Sequence, residues 1–494
     1  MSPLILFSFV IGYFLILLAV ARITSRNSNN ESFFIGNRNS NWMLVAFGMI
    51  GTSLSGVTFV SVPGGVGKDG FAYFQIVIGY LIGYMIIAFV LLPLYYRLNL
   101  TSIYNYLHKR LGLVSYKTGA SFFILSRTLG ATARLYLVVK ILQDSIFANL
   151  GEGFHIPFWA TTLIILVMIL LYTFKGGVKT IVYTDTLQTT CMLAGLVICV
   201  VYILNSMDFS LGSALGELSE KGYSNMFVTD PNSKLFIVKQ IIAGAFITVT
   251  MTGLDQEMMQ KNISVKTLKD SRKNMLSFSA ILVVVNLLFL LLGGLLYLYA
   301  AKNGITATGD KLFPTAAIMH MPPYISIIFI IALISALFPS ADGAITALTS
   351  SFCIDIIGVQ RRADHSETAN RKTRQIVHLS FAAIFLLMVM IFKWADNPSM
   401  IGLILKIAGY TYGPLLGLFA FGMLTRRNVR DKLVPFVAIL SPIICFFIDK
   451  YQSSLFGSFQ IGLELLIING LITFVGLLFI SLPAGDAARP LSAN

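Results

Sequence analysis

Two acidic residues lie inside apolar stretches, where a charge is costly. Asp342 is near the centre of the apolar segment 323–357, and Asp185 is near the start of the segment 181–205. The first segment also carries the hydroxyl residues Ser340, Thr346, Thr349, Ser350 and Ser351. Because carboxylate and hydroxyl oxygens suit hard cations, this pattern predicts a Na+ site and argues against a transition metal. The alternatives are a structural ion pair at Asp342 and an interfacial helix cap at Asp185.

A second group of short polar residues occupies the apolar segment 42–62, which Pro63 follows. The crowded residues, spread over about four helical turns, are Gly48, Gly51, Thr52, Ser53, Ser55, Gly56, Thr58 and Ser61. Glycine loses much backbone entropy in a helix, and short hydroxyl side chains compete for backbone hydrogen bonds. The segment therefore predicts a helix that unwinds at its centre, where freed carbonyls could bind a small cation. A close helix–helix contact is the alternative interpretation.

The composition predicts an all-α polytopic membrane protein. Of the 494 residues, 56% are hydrophobic and 12% are charged, and the mean hydropathy is +0.80. A soluble domain carries about 25% charged residues. The net charge of +14 resides mostly in short loops between apolar runs, so we infer no nucleic-acid partner. The four cysteines lie inside apolar runs without a CxxC pair, which predicts neither disulfides nor a zinc site.

Apolar runs of roughly 17–25 residues predict about thirteen transmembrane spans. They are 3–22, 42–62, 71–96, 118–147, 156–174, 181–205, 234–256, 276–300, 323–357, 376–394, 398–424, 433–449 and 460–482. Basic residues concentrate in alternate loops, one of which begins at Lys261. This asymmetry predicts a multi-pass protein of the cell membrane with its N-terminus outside and its C-terminus in the cytoplasm. The short loops and the lack of a catalytic motif predict that the protein is not an enzyme.

Two arginines lie seven residues apart in the fourth span. Arg127 and Arg134 therefore share nearly one helix face. A buried arginine favours a carboxylate or phosphate partner, which could be a solute or an internal acidic residue. Asp255-Gln256-Glu257, at the end of the seventh span, is open to the same two interpretations.

Three stretches of the chain contain motifs that are similar to those of a known protein family. The first joins Phe33-Phe-Ile-Gly-Asn-Arg38 to Gly51-Thr-Ser-Leu-Ser-Gly-Val-Thr58. The second is Lys175-Gly-Gly-Val-Lys-Thr-Ile-Val-Tyr-Thr-Asp-Thr-Leu-Gln188, with Tyr183 in place of a usual Trp. The third is Gly253-Leu-Asp-Gln-Glu-Met-Met-Gln-Lys261 with Lys266-Thr-Leu-Lys-Asp270. Together they resemble the sodium:solute symporter family, which includes sodium/glucose, proline, pantothenate and sialic acid symporters.

The resemblance implies the leucine-transporter-like fold, with a 5+5 inverted-repeat core in a single transmembrane domain over residues 1–482. Repeat one would be about 42–205 and repeat two about 234–424, each beginning with a broken helix. The extra helices would be 3–22, 433–449 and 460–482, and residues 483–494 would form a short cytoplasmic tail.

The resemblance also implies two sodium sites. The main site would lie between the broken second span and the ninth span, with carbonyl or hydroxyl oxygens from Gly51, Leu54, Ala336 and Ser340. Pro339 stands where the family pattern has a second hydroxyl. A second site, known in some members, would use Asp185, and Asp342 stands among its other positions. We therefore expect the cation sites of this protein to carry more negative charge than those of members in which this span supplies only serine hydroxyls.

The solute pocket implied by the resemblance lies at mid-membrane. Its predicted lining residues are Ser53, Ser55, Thr58, Gln75, Tyr80, Thr252, Asp255 and Gln256. A basic residue on the fourth span binds the substrate carboxylate in sialic acid members, and Arg134 is near that position.

The function implied is Na+-coupled symport of a small polar solute by alternating access, such as a sugar or a carboxylate like sialic acid. The expected partners are Na+, the solute and the lipid bilayer, with no cofactor other than the coupling ion. A proton-coupled symporter and a facilitator or channel without ion coupling remain the alternatives.

Overall fold

The structure of the chain is a computed structural model that describes residues 3–25, 33–34, 36–146, 156–359, 367–395 and 399–483. The tail predicted at 483–494 lies outside these residues from position 484 onward. The described chain is almost entirely helical. Its one small sheet pairs β1 (Asn428–Val429) antiparallel with β2 (Ser481–Leu482).

The helices follow the predicted spans closely. In the first half of the chain they are α1 (Pro3–Thr24), α2 (Trp42–Ser53), α3 (Gly56–Asp69), α4 (Tyr73–Arg97), α5 (Asn105–Arg110), α6 (Leu113–Ser145), α7 (Phe158–Phe174) and α8 (Gly177–Ser206). In the second half they are α9 (Leu211–Glu220), α10 (Ile237–Gly253), α11 (Gln256–Ile263), α12 (Leu268–Lys302), α13 (Leu312–Thr315), α14 (Pro323–Ile357), α15 (Glu367–Ala395), α16 (Met400–Thr411), α17 (Gly413–Leu424), α18 (Val434–Lys450), α19 (Gln452–Phe456) and α20 (Leu465–Phe479).

Within the described residues, eight helices are long and apolar enough to cross a membrane, or up to eleven if each bent pair is one span. The shorter apolar helices α7 and α20 overlap two further predicted spans. The total number of crossings stays a prediction.

The predicted break in the first helix of each repeat is present. Helices α2 and α3 meet at an angle of 56°, and α10 and α11 meet at 66°. At the first break, Leu54 leaves helical geometry with φ −90° and ψ 77°. At the second, Asp255 caps the new helix by accepting hydrogen bonds from the amides of Glu257 and Met258. Both breaks therefore follow from residues that end or restart a helix locally.

A third bend divides the predicted span 398–424, which was expected to be one helix. Helices α16 and α17 meet at 45°, with Pro414 in the first turn of α17. Because proline cannot donate a backbone hydrogen bond to the preceding turn, it favours a new helix start here.

Helix α14 forms the centre of the bundle. From Leu333 to Ser351 every residue is buried, and the helix packs against α2, α6 and α8. Small residues permit this close packing, since a Cβ on Gly195 of α8 would collide with Ala332. The carboxylate and hydroxyls of this span thus lie inside the protein and away from lipid.

Glycines also mediate the contact between the two predicted repeats. Helix α4 crosses α10 where Gly79 meets Gly244. A Cβ on Gly79 would lie 2.9 Å from the Ala245 nitrogen and 2.9 Å from the Gly244 Cα. The two backbones therefore touch, as is common between membrane helices that associate through small residues.

This contact yields a stability prediction. We expect Gly79→Ala to destabilise the protein by about 1–3 kcal/mol, because the added methyl group must push backbone atoms apart. Thermal unfolding of the purified protein in detergent measures the effect. Gly12→Ala in α1 is the matched control, because nothing lies within 4 Å of the place that its new methyl group would occupy and alanine favours a helix. Equal melting temperatures for the two variants would contradict the close contact.

Candidate functional site

The break between α2 and α3 leaves the four backbone carbonyls of residues 51–54 without a backbone donor among the described residues. The Leu54 amide donates to Ile50, and the Phe59 amide donates to Ser55. Among the described residues, no group donates a hydrogen bond to the carbonyl of Gly51 or of Leu54. Two of the three carbonyls predicted to bind sodium are therefore available for a cation. The third, at Ala336, belongs to the continuous helix α14.

This break lies directly against α14. A Cβ on Gly56 would be 3.7 Å from the Leu333 carbonyl, and a Cβ on Gly51 would be 3.4 Å from Cγ of Pro339. Ala336 lies between these two contact points. The Ser340 hydroxyl, one turn further on, donates to the Leu337 carbonyl at 2.8 Å, which leaves its oxygen lone pairs free to accept a cation. The geometry thus brings together the elements of the predicted main site.

Asp342 does not share a face with Ser340. Residues two apart in an α-helix point about 200° away from each other, whereas Asp342 and Pro339, three residues apart, lie on nearly the same face. Oδ2 of Asp342 accepts a hydrogen bond of 2.7 Å from the hydroxyl of Tyr172 on α7. Its other oxygen has no hydrogen-bond partner among the described residues. Asp342 therefore belongs to the side of α14 that faces α7 and α8.

Asp185 is held by a lysine. Its Oδ2 accepts a hydrogen bond of 2.7 Å from Nζ of Lys261 and a longer one, 3.3 Å, from the Thr52 hydroxyl. The same Nζ donates to Thr52 Oγ1 at 2.7 Å. The side chains of Lys261 and Asp185 are 2% and 1% exposed, respectively.

The assignment of Lys261 to an exposed basic loop is therefore wrong. The residue lies on α11, the second half of the broken helix, which turns back into the protein. The sequence did contain a signal, because Glu257 and Lys261 have the i, i+4 spacing of an ion pair on one helix. Tyr172 and Thr189, whose hydroxyls bind Asp342 and the Gly51 amide, were also not predicted.

Arg127 has internal partners. Its guanidinium binds Glu257 directly and lies 3.8 Å from Oδ2 of Asp255. Asp255 also accepts a hydrogen bond of 2.7 Å from the Tyr412 hydroxyl. These groups form a buried network between α6, α11 and the bend at α16 and α17. The internal ion pair, one of the two interpretations of Arg127, is the arrangement in the structure.

A cavity of about 100 Å³ lies beside the α2–α3 break. Of the predicted solute residues, those that line it are Ser53, Ser55, Thr58, Tyr80, Arg134 and Thr252. Polar lining residues that were not predicted are Thr52, Tyr73, Tyr84, Arg127, Thr248 and Asn286. A confined space with hydroxyls, phenols and a guanidinium can bind a small polar solute.

The other predicted solute residues lie elsewhere and bind the backbone. Gln75 donates to the carbonyl of Leu235 and accepts from the amide of Val228. Gln256 accepts from the amide of Ile103 at 3.0 Å and donates to Thr101. Asp255, which caps α11, does not line the cavity either. Each of these three side chains forms hydrogen bonds with the backbone of a turn or a helix end.

A second and larger cavity, of about 810 Å³, adjoins the first. Tyr73, Ile401 and Leu405 line both cavities and separate them. Asp310 lies at the wall of the larger one, where the Met400 amide donates to it at 3.2 Å. Burial raises the pKa of the Asp310 carboxyl above its ordinary value, and the Met400 hydrogen bond opposes this effect.

Comparisons with known structures agree with this architecture. A Na+-coupled sialic acid symporter, solved in a substrate-bound outward-open state, superimposes with a TM-score of 0.81 over 96% of this chain and 97% of its own, at 20% identity. Mhp1, a nucleobase-cation-symport-1 family transporter, superimposes with a TM-score of 0.58 at 14% identity. At these identities the likeness shows the fold, which confirms the predicted leucine-transporter-like architecture.

Sequence comparisons identify the family. The sodium/sialic acid symporter SiaT of Proteus mirabilis is 23% identical over 94% of each chain. The mouse sodium-coupled monocarboxylate transporter 1 is 26% identical over 80% of this chain, which spans 64% of that longer protein. The sequence model of the sodium:solute symporter family matches residues 33–431. Since this match covers most of the chain, the protein belongs to the sodium:solute symporter family.

Proposed function

We propose that this Na+-coupled symporter takes up a small organic carboxylate by alternating access. The observation that carries the proposal is the state of Arg134. Its side chain lines the solute cavity, and among the described residues it has no ion pair or hydrogen bond. Arg127, on the same face of α6, is bound by Glu257. A half-buried guanidinium that lines a confined cavity without such a partner favours an anionic ligand.

The relatives and the cavity size support this solute class. Sialic acid and monocarboxylates, which appear in the names of two of the relatives, are carboxylic acids. The cavity of about 100 Å³ is smaller than the several hundred Å³ of typical ligand pockets. We therefore favour a solute of monocarboxylate size, since a larger acid would require lining side chains to move.

The proposed Na+ site uses the carbonyls of Gly51, Leu54 and Ala336 and the hydroxyl of Ser340. An ion there would join the broken helix of repeat one to α14 of repeat two. Ser53 and Ser55, which flank Leu54, line the solute cavity. Na+ binding would thus fix the backbone that presents hydroxyls to the solute. Coupling requires that Na+ bind the outward-open state more tightly, since equal affinity for both states shifts nothing.

The driving force depends on the charge of the solute. One Na+ gains about 2.3 kcal/mol from an inside-negative potential of 100 mV, and about 1.4 kcal/mol from a tenfold concentration ratio. The total of about 3.7 kcal/mol supports a gradient of a few hundredfold for a neutral solute. A monoanion must oppose the same potential, so about tenfold accumulation remains.

The proposed setting is the cell membrane, with the N-terminus outside. In that orientation the larger cavity would open outward and serve as the entry vestibule. We propose that Na+ is the only ion or cofactor required and that the protein has no enzymatic activity. Among the described residues, no group of three His, Cys, Asp or Glu side chains is placed to hold a metal ion.

The solute proposal predicts a loss of binding when Arg134 is replaced. We expect Arg134→Gln to weaken carboxylate binding about tenfold to a hundredfold, because a charged hydrogen bond contributes about 1.5–3 kcal/mol. The measurement is a thermal-shift screen of the purified protein, with and without Na+, against monocarboxylates, sialic acids, sugars, amino acids and vitamins. Arg134→Lys keeps the positive charge but loses the bidentate guanidinium. Its affinity for the carboxylate should therefore lie between those of the wild type and Arg134→Gln.

As a control on the ligand, each carboxylic acid that raises the melting temperature is compared with the corresponding uncharged amide. The acid should raise the melting temperature of the wild type, and more strongly with Na+ present, whereas the amide should not. A specific shift produced only by neutral sugars would show that the solute class is wrong.

The proposed Na+ site predicts that the negative charge of Asp342 stabilises the bound ion without coordinating it. We expect Asp342→Asn to weaken Na+ binding about tenfold. At an effective dielectric constant of about 20, two opposite unit charges separated by about 10 Å attract each other by about 1.7 kcal/mol. Asparagine can still accept the hydrogen bond from Tyr172. The measurement is the Na+ concentration that gives half of the maximal thermal stabilisation. Asp449→Asn, which breaks an ion pair with the exposed Lys406, is the control. An unchanged Na+ dependence of Asp342→Asn would refute this role.

A further inference from the structure

The geometry points to Lys261 as a tethered cation in the second predicted sodium position. We propose that its ammonium group takes the place of an ion at Asp185, so that the carrier binds one Na+ per cycle and not two. This inference rests on the proposed function, in which the first Na+ binds at the α2–α3 break.

The ammonium group is surrounded as a bound cation would be. Three oxygens face it: Oδ2 of Asp185 and Oγ1 of Thr52, each at 2.7 Å, and Oε1 of Glu257 at 3.8 Å. A charge-assisted hydrogen bond of 2.7 Å leaves no space for an ion between lysine and carboxylate. Asp185 was predicted to bind Na+, and in the structure the ammonium group of Lys261 lies against its Oδ2.

Lys261 also makes the connection that an ion would make. It lies on α11, in predicted repeat two, whereas Thr52 lies on α2 and Asp185 on α8, both in repeat one. Its side chain reaches across because α11 turns by 66° from α10. The contact therefore joins the two repeats at the level of the helix break.

The carboxylates around the ammonium group have partners within the protein. Asp255 is bound by two helix amides and by the Tyr412 hydroxyl. Glu257 is bound by Arg127, and Asp185 by Lys261. Each of these three acidic groups thus has a donor from the protein, although Oδ1 of Asp185 and Oε1 of Glu257 accept no hydrogen bond within the described residues.

Asp342 has the Tyr172 hydroxyl as its only hydrogen-bond donor among the described residues. The cluster holds four carboxylates but only two paired cations within the described residues, Arg127 and Lys261, so a Na+ at the nearby helix break would reduce its net negative charge. A second Na+ at Asp185 would lie next to the ammonium group. At about 4 Å and an effective dielectric constant of about 20, their repulsion lowers the affinity on the order of a thousandfold.

The experiment counts bound ions and does not depend on the identity of the solute. Purified full-length protein in lipid nanodiscs is titrated with radioactive 22Na+, and bound ions per chain are measured at saturation. We expect one ion for the wild type. We expect two for Lys261→Met, because methionine fills the space of the stem and leaves Asp185 unpaired. The melting temperature of this variant should also rise more with Na+ than that of the wild type.

A double variant provides the matched control and guards against loss of folding. Lys261→Met combined with Asp185→Asn removes both charges of the pair, a change that buried ion pairs often tolerate. It should bind one ion, like the wild type, since neither the ammonium group nor its carboxylate remains. Two ions in this double variant would show that the additional ion of Lys261→Met does not use Asp185, and would overturn the inference.

The remaining outcomes separate the inference from the proposed function. Two ions in the wild type, or one ion in a folded Lys261→Met protein, would overturn the tethered-cation role and leave Na+ coupling intact. No bound Na+ in the wild type would overturn the proposed function itself.

Discussion

The structure depends on a constraint of the membrane interior, where no water is available for an unpaired backbone group. Opening a helix there exposes carbonyls, and each needs a partner. Gly51 and Leu54 expose two such carbonyls at the break between α2 and α3. The buried position of α14, the contact of Pro339 with Gly51 and the free lone pairs of Ser340 all place oxygens around this point. A cation bound there, as we propose, would be a partner for these carbonyls, and its release would leave them unpaired again. A helix that opens at its centre can in this way couple ion binding to a conformational change.

Charge pairing then determines which polar residues are structural and which are available to ligands. Arg127 and Arg134 share a helix and nearly a face, yet Arg127 binds Glu257, whereas Arg134 lines a cavity and has no partner in the part of the chain that the structure describes. Of the carboxylates near the break, Asp185 is bound by a lysine, whereas Asp342 accepts a hydrogen bond only from a tyrosine hydroxyl within that part. Removing one member of a paired set would leave a buried charge, so these pairs stabilise the contact between repeats only while both members are present.

Sequence reasoning succeeded where the physical signal is local. Hydropathy located the helices, and the cluster of glycine and hydroxyl residues in 42–62 located the first break. It failed where the answer depends on a distant segment. Nothing near Lys261 in the sequence shows that α11 bends back to Asp185, and a lysine after an apolar span normally indicates a loop. Gln75 and Gln256 are similar cases, because an amide in a span can bind either a solute or a neighbouring turn.

A tethered cation differs from a bound ion in one respect that matters for coupling. Lys261 is present in every state of the transport cycle. Its contact with Asp185 can hold the repeats together, but its occupancy does not change with the Na+ concentration on either side of the membrane. A ligand shifts a conformational equilibrium only through a difference in affinity between states, and a permanent side chain has no concentration to vary. Coupling must then reside at the carbonyls of Gly51 and Leu54, where the ion can leave. With one Na+ and a monoanionic solute, the loaded carrier moves no net charge. The concentration gradient of Na+, and not the membrane potential, would then set the limit of accumulation.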